Sequence, residues 1–166
     1  KSKKLSIGFD PKLFTSRTLN IFFGKNNCKF IPLKKNLIDQ IWKRKVIKKN
    51  NKFYSLPINS VGDGYLSKIN KVASFIKKKG ADFQFITSSE NNAWLLNIRG
   101  QDTKFAPIPN CLILIDKSKN MKIFCDLKKI SVTLKKKFKR AEFISIKLAS
   151  SYLGSIKNKK FIFDEN

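Results

Sequence analysis

The chain has 166 residues and a formal net charge of +25, from 36 Lys and Arg against 11 Asp and Glu. Hydrophobic residues make up 42% of it, 15 Phe among them, which excludes a disordered tail because disorder requires low hydrophobicity. It contains no histidine, which excludes a Ser-His-Asp or Cys-His nucleophile system and any His-ligated metal site within these residues.

The first third of the sequence predicts strand, helix, strand and helix in turn. Residues 5–9 alternate apolar and small residues as a strand does. Asp10 and Pro11 predict a helix start, with Asp10 as the cap, and Gly24 ends that helix. A second strand over 28–33 and a short helix over 36–42 follow. The basic segment 43–52 has no period and is a linker by composition, which places a boundary near 45–60.

The remaining sequence alternates helices and strands around a central hairpin. Residues 63–79 have the 3.6-residue period of an amphipathic helix, with Asp63 as its cap, lysines on the face opposite the apolar residues and Gly80 after its end. Further helices are predicted over 88–97, 127–139 and 148–156, and strands over 82–87, 111–115, 121–125, 143–146 and 161–163. This order predicts an α/β fold with a mixed sheet flanked by helices.

The cysteines and the termini indicate a compartment. Cys28, Cys111 and Cys125 lie far apart without CxxC spacing, which is typical of small buried hydrophobes in a reducing compartment. No apolar run reaches the roughly 18 residues of a membrane span, and no apolar signal core follows the basic start. We therefore predict a cytoplasmic protein without membrane contact.

The charge leaves two interpretations open. A strongly basic surface is the common partner of polyphosphate, so a nucleic-acid-binding module is one hypothesis. Only Arg17, Arg44, Arg99 and Arg140 are arginines, however, and the lysines are spread over the whole chain. A lysine-biased genome that fills solvated positions with Lys is the other interpretation. The few carboxylates are scattered and form no tight pair at i, i+3 or i+4, which leaves general acid–base catalysis only to residues distant in sequence.

The stretch 80–102 carries the most information about function. Trp94 and Arg99 place a large amphipathic ring and a guanidinium at the mouth of a loop, with Asp102 close behind. The alternative is purely structural: Trp94 and Leu95 in the core, Asn97 as a helix C-cap and Gly100 allowing the turn.

This stretch resembles the middle domain of three-domain Xaa-Pro aminopeptidases (aminopeptidase P, in the creatinase/prolidase superfamily). The match lies in Ala93-Trp94-Leu95 with Asn97-x-Arg99-Gly100, followed by the strand 111–115. The segment 36–42 (NLIDQIW) is similar to the end of that family's first domain. Departures include Glu90 where the family usually has aspartate and Asn92 where it usually has an aliphatic residue.

The resemblance implies a domain layout and a fold. Residues 1–50 would be the C-terminal part of a creatinase-like domain I, and 51–166 a domain II whose C-terminal end is truncated. Both would have the creatinase N-terminal fold, a mixed sheet flanked by helices with a ribonuclease H-like motif. The catalytic "pita-bread" domain, with its Asp, His and Glu metal ligands, would lie outside this chain, which accords with the missing histidine.

The resemblance also implies an activity for a parent enzyme, which would remove the N-terminal residue from peptides with proline in second position. Two divalent metals, manganese by expectation, would activate a water in the missing catalytic domain. This chain would be inactive alone and bind no cofactor. It would restrict access to the active site, support a homodimer and contact its own C-terminal catalytic domain. Trp94, Arg99 and Asp102 would touch substrate or an interface, unless Arg99 instead pairs with Asp102 or a local carbonyl.

Overall fold

The computed structural model describes residues 5–25, 28–42 and 51–163 and divides the chain into two units, one up to residue 47 and one from residue 48. The predicted linker falls largely on residues 43–50, which lie outside the described residues. The two units are described separately below.

The first unit has the predicted strand–helix–strand–helix order. Its elements are β1 (Leu5–Phe9), α1 (Ser16–Phe23), β2 (Cys28–Pro32) and α2 (Leu37–Ile41). β1 and β2 pair in parallel, with Leu5 opposite Cys28 and Phe9 opposite Pro32. The α1 crossover allows this parallel pairing, because two adjacent parallel strands cannot be joined by a tight hairpin.

The predicted role of Asp10 as a helix cap is wrong. Its carboxylate accepts from the Lys12 backbone N–H at 2.9 Å and from Asn36 Nδ2 at 2.9 Å, so it forms a local turn. The helix α1 begins later, where Thr15 and Thr18 form a capping box. Asn36 caps α2 by accepting from the Ile38 N–H, so one asparagine links both turns.

The second unit is built on a five-stranded mixed sheet, as predicted. Its strands lie in the order β8 (Ala141–Ser145), β7 (Met121–Cys125), β6 (Cys111–Asp116), β4 (Phe83–Ile86) and β9 (Phe161–Ile162). β6 is antiparallel to both β4 and β7, whereas β7 pairs with β8 and β4 pairs with β9 in parallel. The predicted β6–β7 hairpin is confirmed.

Helices cover both faces of this sheet. On one face, α3 (Tyr65–Lys78), α4 (Ser89–Leu96) and α5 (Val132–Lys137) pack over alternate β6 residues, including Ile113 and Ile115. On the other face, α6 (Ala149–Ser155) packs near Leu114 and Phe124. Burial on both faces explains the unbroken apolar run of β6, since a strand with one wet face would alternate.

Two predictions about helix ends are wrong. The predicted helix over 127–139 splits into a 3₁₀ turn, Leu127–Lys129, capped by Asp126, and the short α5, capped by Ser131. Each cap offers the backbone a turn that competes with a continuous helix. Asp63 does not cap α3, which starts after Gly64; its carboxylate pairs with Lys71.

A short second sheet lies beside α4. It pairs β3 (Tyr54–Ser55) with β5 (Ile98–Arg99) in antiparallel fashion, with Tyr54 opposite Arg99. Two-residue strands leave no period in a sequence, so this pairing was not predicted. Within the described residues, none of the helices is both long and apolar enough to cross a bilayer.

Candidate functional site at the turn from Trp94 to Asp102

Asn97 ends α4 and sets the geometry of the turn. Its φ of 53° is left-handed, and its N–H donates to the Ala93 and Trp94 carbonyls. Asn tolerates this conformation better than other non-glycine residues do. The chain therefore turns sharply into β5, and Arg99 stays near the last turn of α4. The predicted C-cap role of Asn97 is confirmed.

Trp94 lies on the surface and not in the core. Its side chain is 59% exposed, whereas the neighbouring Leu95 is buried in the main core cluster. The structural alternative for this pair is thus correct for Leu95 and wrong for Trp94. A large exposed indole is typical of contact surfaces, because it combines an apolar ring with a hydrogen-bond donor.

A buried ammonium holds this surface indole. Lys68 of α3 is 3% exposed, and its Nζ donates to the Trp94 carbonyl at 2.7 Å and to Asn97 Oδ1 at 2.6 Å. The same Nζ lies 4.1 Å from the centroid of the Trp94 ring, within cation–π range. Burial is the largest cause that lowers the pKa of Lys68, and the nearby Asp63 opposes that effect.

The burial of Lys68 corrects the prediction that the lysines of α3 lie on its solvated face. Its position supplied a signal: residue 68 follows Tyr65 by three and precedes Val72 by four, both of which pack against the core. The sequence analysis nevertheless places Lys68 on the solvated face, because lysine is almost never fully buried without partners.

Arg99 binds local carbonyls. Its Nη1 donates to the Ile98 carbonyl at 2.9 Å and to the Ala93 carbonyl at 3.3 Å. Of the two structural alternatives for this side chain, the local carbonyl is therefore the one observed. In the described part of the chain, Nε and Nη2 make no hydrogen bond, and the side chain is half-buried. One edge of the guanidinium thus fixes the turn and the other edge can still donate.

Asp102 binds away from Arg99. Its Oδ2 accepts from the Asn110 N–H at 2.7 Å, and its Oδ1 pairs with Lys129 Nζ. The Asp102 and Lys129 side chains are only 9% and 13% exposed. This ion pair joins the loop after β5 to the 3₁₀ turn at Leu127–Lys129, and sequence analysis did not predict the lysine.

The loop folds back on β5 at Gly100. The Gly100 N–H donates to the Pro107 carbonyl at 3.1 Å, and the Asp102 N–H donates to the Ile108 carbonyl at 3.3 Å. A Cβ at residue 100 would lie 2.8 Å from Pro109 Cα and 3.0 Å from the Phe53 ring, closer than real Cβ atoms approach backbone. Only glycine fits there, and the reason is this close packing; the predicted reason, freedom of the backbone at the turn, does not apply because φ at Gly100 is not positive.

Comparison with known proteins assigns the family. Residues 44–166 match the creatinase/prolidase N-terminal domain. The chain belongs to the creatinase/prolidase N-terminal domain family.

The relatives of this creatinase-type domain include named aminopeptidases. It is 29% identical over 106 residues to the Xaa-Pro aminopeptidase ApepP of Drosophila melanogaster, covering 61% of this chain and 17% of that protein. It is 26% identical over 136 residues to aminopeptidase P1 of Lotus japonicus, covering 80% and 20%. It is also 27% identical to the protein pid-5 of Caenorhabditis elegans, covering 90% and 14%. The chain thus spans only about a fifth, or less, of the relatives it matches.

A solved structure has the same creatinase-type fold. The X-prolyl aminopeptidase of Caenorhabditis elegans, described as a cytosolic enzyme with a di-nuclear active site, superposes with a TM-score of 0.79. The match covers 92% of this chain and 26% of that one, at 21% sequence identity. At that identity the likeness establishes the fold, and it agrees with the predicted mixed sheet flanked by helices.

The described residues of the creatinase-type domain do not offer the donor set of a di-metal centre. Across residues 5–25, 28–42 and 51–163, the structure brings together no group of three or more His, Cys, Asp or Glu side chains that could hold a metal. Asp102, the acid nearest the turn, is paired with Lys129. The residues within these ranges therefore do not fit a dinuclear metal site.

Proposed function

We propose that this chain is an accessory, non-catalytic region of a metal-dependent Xaa-Pro aminopeptidase, beside a catalytic domain that carries the metals. The observation that supports this most is the family match over residues 44–166, together with relatives named Xaa-Pro aminopeptidase that are several times longer. The donor set supports it too, because the described residues offer no metal-ligand cluster. The two metals of such an enzyme, manganese by expectation, would supply the activated water elsewhere.

In this proposal, Trp94 and Arg99 form the contact face of the accessory region. The exposed indole offers apolar area, and the outer edge of the Arg99 guanidinium offers donors to a carboxylate or a backbone carbonyl. The partner atoms belong to a peptide substrate at the mouth of the active site or to a subunit interface. Both assignments accord with a region that restricts access and supports a homodimer.

Asp102 has a positioning role in this proposal. Its carboxylate holds Lys129 and the Asn110 N–H, which fixes the loop that follows Arg99. A neutral side chain at 102 would release that loop while leaving Arg99 intact. Asp102 therefore acts through the shape of the turn, and direct contact with substrate is left to Trp94 and Arg99.

The test uses the complete polypeptide that contains this sequence. Arg99→Ala and Trp94→Ala are compared with Lys104→Ala, which removes an exposed side chain from the same loop. We measure kcat/KM on Xaa-Pro peptides with added manganese, and the mass in solution by light scattering. Loss of a charged contact to substrate should lower kcat/KM about tenfold, and loss of an interface contact should shift the mass toward the monomer.

Two outcomes would contradict the proposal. If kcat/KM and solution mass are both unchanged in Arg99→Ala and Trp94→Ala, the turn has no contact role. If the 166-residue chain alone hydrolyses Xaa-Pro peptides with manganese, the accessory assignment is wrong. An active complete protein with these two variants unaffected would reject the contact face and leave the family membership intact.

A further inference from the structure

The second unit has a groove that is lined by cationic side chains and by no acidic side chain. Its larger part is a cavity of about 490 Å³ between α3, the β6–β7 turn and the end of α5. Four cationic side chains line this cavity together with five uncharged ones, and no Asp or Glu is among them. The four cations are Lys119, Lys137, Lys139 and Arg140. We call this cavity and its apolar neighbour, defined below, the basic groove.

Among the residues that the structure describes, no carboxylate pairs with a cation of the basic groove. The ion pairs found among the described residues involve other lysines. Lys137 Nζ donates to Ser55 Oγ, and Arg140 Nη1 donates to the Ser118 carbonyl at 3.2 Å, so both bind neutral oxygens and have spare donors. Like charges held around one concavity repel each other, and an anion placed there relieves that repulsion.

The other end of the basic groove is apolar. A second cavity, of about 290 Å³, shares Tyr65, Leu66 and Lys137 with the first. Ile58 and Leu66 in its wall are 70% and 60% exposed. The groove is therefore amphipathic along its length, with apolar side chains at one end and cations at the other.

We infer that the basic groove binds an acidic peptide segment of a partner protein, with an apolar side chain of that segment in the smaller cavity and its carboxylates among the cations. The apolar end fits an apolar side chain, and the cationic end fits carboxylates. A peptide supplies both along its length, and an inorganic anion does not. The groove also lacks the stacking aromatic of a single-strand nucleic-acid site. The one aromatic residue in its lining is Tyr65, whose ring packs edge-on against that of Phe138 with 4.9 Å between the ring centroids. The Tyr65 hydroxyl donates a hydrogen bond to the Lys137 carbonyl.

The test measures binding of a fluorescein-labelled peptide, Gly-Leu-Ser-Glu-Asp-Glu-Gly, by anisotropy at physiological salt. Lys139→Glu with Arg140→Glu reverses two groove charges, and should weaken binding about tenfold or more. The matched control is Lys157→Glu with Lys159→Glu, two exposed lysines away from the groove that change the net charge equally. The affinity of this control variant for the peptide should stay within about twofold of that of the unsubstituted chain, because distant surface charges are screened.

A second pair of variants tests the apolar end. Leu66→Ser should weaken binding by several-fold, whereas Leu148→Ser, which truncates an exposed leucine outside the groove, should not. A peptide in which Ser replaces Leu should bind the unsubstituted chain as weakly as the original peptide binds the Leu66→Ser variant. Circular dichroism of each variant confirms that it is folded.

Several results would overturn the inference. Equal losses in the groove pair and its control would show general electrostatic attraction. Equal binding of the Leu and Ser probes would remove the apolar anchor. Binding of pyrophosphate or duplex DNA that is as tight, and as sensitive to the groove pair, would show a general anion site. This inference is independent of the proposed function, since none of its variants touches Trp94, Arg99 or Asp102.

Discussion

Lys68 donates to the carbonyl of Trp94 while its ammonium lies 4.1 Å from the centre of the same residue's ring. One buried cation thus binds both the backbone and the side chain of an exposed tryptophan. The contact joins α3 to the end of α4 and keeps the indole on the surface.

Replacing Lys68 should destabilise the second unit. Lys68→Met keeps the apolar stem but leaves Asn97 Oδ1 and the Trp94 carbonyl without their shared donor, at a cost of about 1–3 kcal/mol. Lys77→Met is the matched control, since it removes an exposed lysine from the same helix. Urea unfolding followed by tryptophan fluorescence gives both free energies of unfolding. Equal stability of the two variants would contradict the bridging role of the ammonium.

The Asp102–Lys129 pair should contribute more than the surface pair between Asp63 and Lys71. Its side chains are 9% and 13% exposed, so removal of one partner leaves a largely buried charge uncompensated. We expect Asp102→Asn and Lys129→Met each to lower the unfolding free energy by about 2–3 kcal/mol, and the double variant by clearly less than the sum. Lys71→Met should cost less than about 1 kcal/mol. Additive effects in the cycle would show that the pair is not coupled.

Two thiols should make stability depend on alkaline pH. Cys111 and Cys125 lie opposite each other in β6 and β7, and burial raises the pKa of each to about 12 from 9.0. The folded state keeps these protons where the unfolded state loses them. The contribution of these thiols to the free energy of unfolding is therefore fully present below pH 9.0. It is lost as the pH rises toward 12, by up to about 1.4 kcal/mol per pH unit for each thiol.

Urea unfolding across that pH range measures the decline. In the Cys111→Ala, Cys125→Ala double variant, the decline should be shallower, although the variant is less stable overall. Lys68, whose pKa is lowered, acts with the opposite sign in both proteins, so the difference between them isolates the thiols. Parallel curves for the two proteins would refute the expectation.

Two substitutions of Asn92 should differ sharply in their effect on stability. Its side chain is fully buried, and its Nδ2 donates to the Cys111 carbonyl at 2.7 Å and to the Ile86 carbonyl at 3.3 Å. Its Oδ1 has no partner among the described residues. Asn92→Leu leaves these two carbonyls without the amide donor but also removes an unpaired buried acceptor, and because the two effects partly offset each other we expect a cost of about 1 kcal/mol. Asn92→Asp buries acceptors against carbonyl oxygens and should cost more than about 3 kcal/mol. Thermal melts that rank the two equally would be inconsistent with this bonding.

Local signals in the sequence predicted the parts of the fold that depend on neighbouring residues. Asn97 ends α4, and Gly80 takes the left-handed φ of 61° that follows α3. The β6–β7 hairpin was also predicted, because its turn lies within a few residues of both strands. At Asp10 the local signal failed, since a nearby threonine pair formed a better cap.

Contacts between distant residues could not be predicted in the same way. Lys68 meets Asn97 across 29 residues, and Lys129 meets Asp102 across 27. Tyr54 and Arg99 pair in strands too short to show a period. The sequence did indicate Trp94 and Arg99 as candidates, but which edge of the guanidinium is bound depends on how the turn folds, and that is a tertiary property.

The central position of β6 has a consequence for local opening. Hydrogen-bonded on both sides and covered on both faces, its amides should exchange with deuterium only when the whole second unit opens. The edge strand β9 pairs with β4 through two residues that lie 78 positions away in the chain. Its amides should exchange first, so that the sheet loosens from this margin inward while the hairpin at its centre persists.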